Sequence, residues 1–280
     1  MVEAFIPKDL DECLRILSER KVRIVAGGTD MLIQNRSHTG MSIGYRNDVL
    51  YINNLNELKN IYEDDAFVYI GAALSLEKIM QSDIVPKLLK DTILEMASPA
   101  IRHTATLAGN IGNASPAGDS LVSLYLMDAE LEIRSINNTR RVFLKDFIKG
   151  VRKIALESDE LITKVIIPKL VFEKAYFKKV GPRLSDAISK LSFAGAYQTY
   201  NNRITDIRIA FGAVNITVVR DRVLEKKLLG KKVEEIKEMM DLIISWYDPL
   251  ILPIDDQRSN KVYRKEVSFN LLREFVRNLN

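Results

Sequence analysis

Two short stretches hold most of the chemistry this chain can offer. The first, Val25-Ala26-Gly27-Gly28-Thr29-Asp30-Met31-Leu32, runs from a buried-strand pattern into a double-glycine turn and on into the apolar density of a short helix. The second, Ile101 to Asp119, carries Thr106, Gly109, Asn110, Gly112, Asn113, Pro116 and Gly118 and closes on a carboxylate, Asp119. Glycine has no Cβ, so both stretches let backbone come close to a ligand, and the amides of such turns form anion-binding concavities. Thr29 or Asp30 is a candidate cap for the short helix, and free amides at a helix start favour phosphate. Gly27-Gly28 also reads as an ordinary strand-to-helix turn. Taken together, the two stretches point to a diphosphate held from two sides. The second is too broken by glycine and proline for a helix and is expected to be a loop.

Other chemistries find little support. The chain shows no nucleophile–base pair and no paired-acid constellation. Its single cysteine, Cys13, lies in an amphipathic helix pattern and reads as a buried thiol. One cysteine neither closes an internal disulfide nor holds an iron–sulfur cluster. The two histidines, His38 and His103, lack a ligand spacing, so no metal site is expected. The net charge of +4, from 41 basic and 37 acidic residues in 280, is spread along the chain and argues against a nucleic-acid binder. No apolar run is long enough for a membrane span, and Met1 to Pro7 shows no secretory signal, so a cytoplasmic location is expected.

The elements that must position the two stretches follow from periodicity. Helices are expected over 8–20, 75–80 (capped by Ser75) and 86–97, the last ended by Pro99. Strands are expected over 22–26, 48–52, 67–73, 129–134, 140–144 and 161–167, with a hairpin turn at Asn137-Asn138. The style changes near residue 170. Strands at 175–180, 192–200 and 204–213, with a tight turn at Asn201-Asn202, precede helices at 222–229, 233–247 and 263–279. The charged run 231–238 reads as a solvated helix face. The fold class is α+β with mixed sheets and a separate C-terminal domain.

The quoted residues resemble the FAD-binding medium subunit of the molybdenum hydroxylases, the family of xanthine dehydrogenase and aerobic carbon monoxide dehydrogenase. Ala26 to Leu32, with basic Arg36, is similar to its first flavin loop, and Ser98-Pro99 to Asp119 to its second. Ile70-Gly71-Ala72, Asp159 to Ile162, Tyr176-Phe177-Lys178, Arg183, Asp186, Phe211-Gly212-Ala213, Arg220 and Tyr263-Arg264 extend the likeness over nearly the whole chain. Ala108 stands where the family usually has glycine, a strain of about 1 kcal/mol if its φ must be positive.

The resemblance implies a two-part FAD-binding domain of the p-cresol methylhydroxylase/vanillyl-alcohol oxidase type over 1–170, with parts at about 1–55 and 56–170. It also implies a C-terminal domain of carbon monoxide dehydrogenase flavoprotein type over 171–280. Diphosphate would lie between Val25–Leu32 and the second stretch, on amides of Gly27, Gly28, Thr29 and Asp30. Thr106, Gly109, Asn110 and Asn113 would line the other side, Asp119 would accept from ribose, Ile162 would flank adenine or ribose, and Lys178 would reach the flavin ring or the acceptor. Other readings stay open: Asn110 and Asn113 as turn closers, Asp119 as a helix cap, Lys178 as a surface lysine, and Arg102 with His103 as loop anchors. The implied partners are a small [2Fe-2S] subunit and a large molybdopterin subunit in a dimer of heterotrimers, with NAD or another electron acceptor. A stand-alone flavin reductase related to UDP-N-acetylenolpyruvoylglucosamine reductase and a nucleotide-binding assembly module are the alternatives.

Overall fold

The computed structural model describes residues 2–34, 47–183 and 186–280; Arg36 and His38 lie outside the described residues. The chain divides into two compact units. One comprises 1–86, 97–114 and 128–169; the other comprises 87–96, 115–127 and 170–280.

The first unit holds two main sheets. Strands β1 (Ala4–Phe5), β2 (Arg23–Val25) and β3 (Val49–Tyr51) form a parallel sheet of order β1-β3-β2. Helix α1 (Leu10–Glu19) covers it, burying Leu10, Cys13, Leu14 and Leu17 against Leu50, Ile52, Leu55 and Leu58. The Asp9 carboxylate caps α1 by accepting from the Glu12 amide at 2.8 Å. Cys13 is fully enclosed, and burial pushes its thiol up to about 12, so it stays protonated and packs as a hydrophobe. Helix α2 (Thr29–Gln34) follows the double-glycine turn.

The second sheet is antiparallel, of order β4-β5-β10-β6-β7, built from β4 (Ile61–Glu63), β5 (Phe67–Gly71), β6 (Glu130–Arg134), β7 (Thr139–Phe143) and β10 (Leu161–Pro168). Helix α3 (Leu76–Gln81) begins at Ser75, whose hydroxyl accepts from the Lys78 amide. A short hairpin, β8 (Ile148–Gly150) with β9 (Lys153–Ile154), completes the unit with the one-turn helix α8 (Leu144–Phe147).

The stretch expected to be a loop is helical. Pro99 does not end a helix; it opens α5 (Pro99–Thr104) behind the Ser98 cap, a position where its missing N–H costs nothing. Thr106 caps α6 (Leu107–Asn113) by accepting from the Gly109 amide at 3.0 Å, and Ala114 ends it in the left-handed region at φ 44°. Caps at the right positions outweigh the low propensity of two glycines. Ala108 sits inside α6 and is not among the positive-φ residues, so its methyl carries no backbone strain.

The second unit is a three-stranded antiparallel sheet of β11 (Lys174–Val180), β12 (Leu191–Tyr200) and β13 (Arg203–Gly212), packed on helices. Asn201 and Asn202, at φ 50° and 58°, make the β12–β13 turn, a conformation asparagine tolerates. Helices α4 (Lys87–Leu94) and α7 (Asp119–Leu126) belong to this unit although their sequence lies inside the N-terminal half. The region expected as one helix over 233–247 is two, α10 (Val233–Glu238) and α11 (Met240–Tyr247); α9 (Arg222–Lys226) and α12 (Lys261–Arg277) complete the layer. Phe193, Phe211, Tyr247 and Phe275 form its aromatic centre, with neighbouring centroids 5.1–5.8 Å apart.

Candidate functional site

The first unit brings the two stretches together. β2 ends at Val25, and the chain turns through Gly28 at φ 69°, a left-handed conformation that glycine adopts without strain. The Gly28 carbonyl then accepts from the Leu32 amide at 3.0 Å and starts α2. Gly27 lies hard against the α5–α6 junction. A Cβ there would stand 2.3 Å from the Thr104 carbonyl oxygen and 2.8 Å from the Ala105 Cα. The Leu76 amide donates to the Ala105 carbonyl at 2.9 Å, and Ser75 bridges Thr106, so α3 is tied to the same junction.

A cleft of about 400 Å³ opens where these segments meet. Val25, Ala26, Gly27, Gly28 and Leu32 line it on one side, and His103, Thr104 and Thr106 on another. Tyr51, Asn53, Lys59, Ala73, Leu74, Ser75 and Lys78 complete the lining. No carboxylate is among these lining residues, whereas two lysines are. Bare backbone, hydroxyls and cations without an opposing acid suit an anion, and the volume lies in the usual range of ligand clefts, about 300–1,000 Å³. The donor set fits the diphosphate of a dinucleotide.

Several expected residues act beside the cleft. Met31 is buried with Val25 and Val49 and holds the turn to its strand. The Asp30 carboxylate bonds Gln34, and lies 3.6 Å from Arg152. The Asn113 side-chain oxygen accepts from Gln34 at 3.0 Å and from Arg152 at 2.8 Å, tying α2 to α6. The Asn110 amide donates to the Thr106 carbonyl within the first turn of α6. Arg102 is buried, 3.5 Å from Glu77, and His103 Nδ1 donates to the Pro99 carbonyl at 2.8 Å, the anchoring roles expected of both. Ile162 is buried in β10 opposite Ile133 and is not part of the cleft lining.

Asp119 and Lys178 belong to the second unit. Asp119 is the first residue of α7, buried, with Lys179 Nζ at 2.9 Å from one oxygen and Ser189 donating to the other. Burial raises its carboxyl above the usual range, and Lys179 then Ser189 oppose that. Its carboxylate thus has internal partners in Lys179 and Ser189, and it is not among the residues that line the cleft. Lys178, its neighbour on β11, is exposed.

Sequence reasoning missed Lys59 and Lys78. Lys78 reads as a solvated helix position, and Lys59 follows a three-residue 3-10 turn, Asn56–Leu58, that has no strong signal. The clue was Gly71. A Cβ there would stand 2.3 Å from the Leu58 carbonyl oxygen, so only glycine lets the Lys59 segment lie against β5.

Comparison with known proteins agrees with this geometry. Residues 1–170 match the family model of the FAD binding domain in molybdopterin dehydrogenase, and 175–279 match that of the CO dehydrogenase flavoprotein C-terminal domain. The glyceraldehyde dehydrogenase medium chain of Sulfolobus acidocaldarius is 31% identical over 264 residues, covering 93% of this chain and 92% of that one. The putative xanthine dehydrogenase FAD-binding subunit of Escherichia coli is 31% identical over 75% of this chain and 73% of its own. A crystal structure of the Cu,Mo-CO dehydrogenase shares the fold at a TM-score of 0.88 and 22% identity, covering 99% of this chain and 96% of that one. The chain belongs to the family of FAD-binding medium subunits of the molybdenum hydroxylases.

Proposed function

We propose that this chain is the electron-transfer subunit of a multi-subunit molybdenum hydroxylase. It takes electrons from [2Fe-2S] clusters on a small partner, which draws them from a large molybdopterin subunit, and it delivers them to NAD or another acceptor. The observation that carries this reading is the meeting of the Gly27-Gly28 turn with the Thr106 junction over one cationic cleft. The amides of Gly27 and Gly28 would donate to the diphosphate, with the Thr106 hydroxyl on the opposite wall. The Thr106 oxygen already accepts from the Gly109 amide, which leaves its O–H to donate. Leu32 and Tyr51 would shield apolar parts of the ligand from water. FAD, when bound, supplies the exchange between single-electron and paired-electron transfer; the chain supplies position and electrostatics.

One cysteine holds neither cluster, so the clusters that feed the flavin would lie outside these 280 residues. The relatives named a medium chain and a FAD-binding subunit support a place in a larger assembly. A dimer of heterotrimers in the cytoplasm goes with this reading. Among the described residues, no helix is long and apolar enough to cross a membrane. Gentle purification of the native complex tests the proposal. FAD, iron and molybdenum are expected to elute together with this chain. A yellow chain that elutes alone and turns over with a soluble reductant would favour a stand-alone reductase, and a colourless chain that takes up no flavin would favour an assembly module.

A further inference from the structure

We infer that Lys59 and Lys78 form a charge-reading wall that makes the cleft select a phosphorylated flavin over the uncharged isoalloxazine–ribityl part alone. The inference rests on the flavin reading of the cleft and concerns what sets affinity there. Both lysines line the cavity, and neither has a carboxylate partner among the described residues. Elsewhere in the same unit, cations beside the sheet are matched: Arg140 with Glu160, Arg141 with Glu130, Lys164 with Glu132 and Lys169 with Glu63. Two unmatched ammonium groups on one concave wall, with no acid in the lining, raise the local affinity for an anion.

The backbone that carries them is firmly held. The Lys59 amide donates to the Asn56 carbonyl at 3.0 Å, while the carbonyls of its neighbours Leu58 and Asn60 accept from Ala73 at 2.9 Å and Gly71 at 2.8 Å. Lys78 sits in the first turn of α3, where its amide donates to Ser75 Oγ. The segment 71–76 therefore fixes the backbone around both lysines. Lysine acts as a mobile point charge, so the wall need not fit one phosphate geometry, only its charge.

The test is a titration of the full chain, stripped of flavin, with FAD and with riboflavin, read by flavin fluorescence. It uses the wild type, Lys59→Gln, Lys78→Gln and the double variant, with circular dichroism to confirm folding. At low salt the double variant should bind FAD about tenfold more weakly, each single variant about threefold, within the range of charge-assisted contacts near a protein surface. Riboflavin affinity should not change. At about 0.5 M salt, where screening acts within a few Å, the gap for FAD should close. An unchanged FAD affinity in the double variant, or an equal loss for riboflavin, overturns the inference and leaves the flavin site standing. A wild-type chain that binds no FAD overturns both.

Discussion

Two charged regions of this molecule differ in one respect. In the second unit, Asp119 and Lys179 are both sealed from solvent and close on each other at 2.9 Å. Arg220 and Glu225 do the same, and Arg220 also donates to the Leu126 carbonyl at 3.0 Å. In the first unit, Lys59 and Lys78 stand on a cleft wall without an acid. Closed pairs hold architecture, whereas open cations on a concave surface wait for a ligand. Residue type alone does not separate the two cases. Asp119 ends a glycine-rich stretch as a ribose-binding acid would, and it also closes on Lys179 and Ser189.

The largest expected effect breaks the closed side of this comparison. Asp119→Ala should cost about 3–5 kcal/mol, because it removes the carboxylate that closes on the buried Lys179 ammonium. For a domain of this size that lowers the thermal midpoint by roughly 10 °C. A melt within a degree or two of the wild type, with FAD affinity lost, would favour ribose contact over anchoring as the role of Asp119.

Next come the glycines of the open side. Gly27→Ala forces a methyl into the Thr104 carbonyl, an overpacking of about 1–3 kcal/mol, and should part the two stretches and weaken FAD binding by at least about tenfold. Gly28→Ala meets only a Val25 methyl at 3.4 Å, an ordinary contact, but keeps φ at 69°, so it should cost about 1 kcal/mol and spare more of the affinity. Paired denaturant and flavin titrations separate the two. Equal losses of FAD affinity would show that contact with the α5–α6 junction is not what shapes the cleft.

The smallest effect asks whether pairing or location decides. Glu160 lies in the first unit, yet it is closed by Arg140 at 2.7 Å. The Arg140 guanidinium holds its carboxyl below the usual range, with burial opposing. A lowered pKa means the pair stabilises the fold above the unfolded value and loses that contribution as pH falls through the folded one. Glu160→Gln should thus cost about 1 kcal/mol at pH 7, and the gap from wild type should narrow as pH falls below the unfolded value of about 4.3. A gap that does not narrow on acidification would mean that the loss is one of packing, not charge.

Much of this was legible in the residues. Alternation marked β6, an apolar run marked β10, and Asn201-Asn202 marked the β12–β13 turn, because those signals are local. The helical nature of 99–113 was hidden because glycine and proline were read as breakers. Their effect depends on offset, and Ser98, Pro99 and Thr106 sit where caps belong. The membership of α4 and α7 in the second unit left no local trace. It is set by long-range packing of α7 on β12 and β13 and by Lys179 reaching Glu95 and Asp119. The cleft was half legible. Its glycine walls announce themselves, but Lys59 and Lys78 reach it only through the fold around Gly71.

Amide hydrogen exchange of the full chain with and without FAD addresses the central claim most directly. FAD should protect the amides of 26–30 and 104–110 together, with little change in α12. Protection that spares both stretches while FAD is bound would contradict the account.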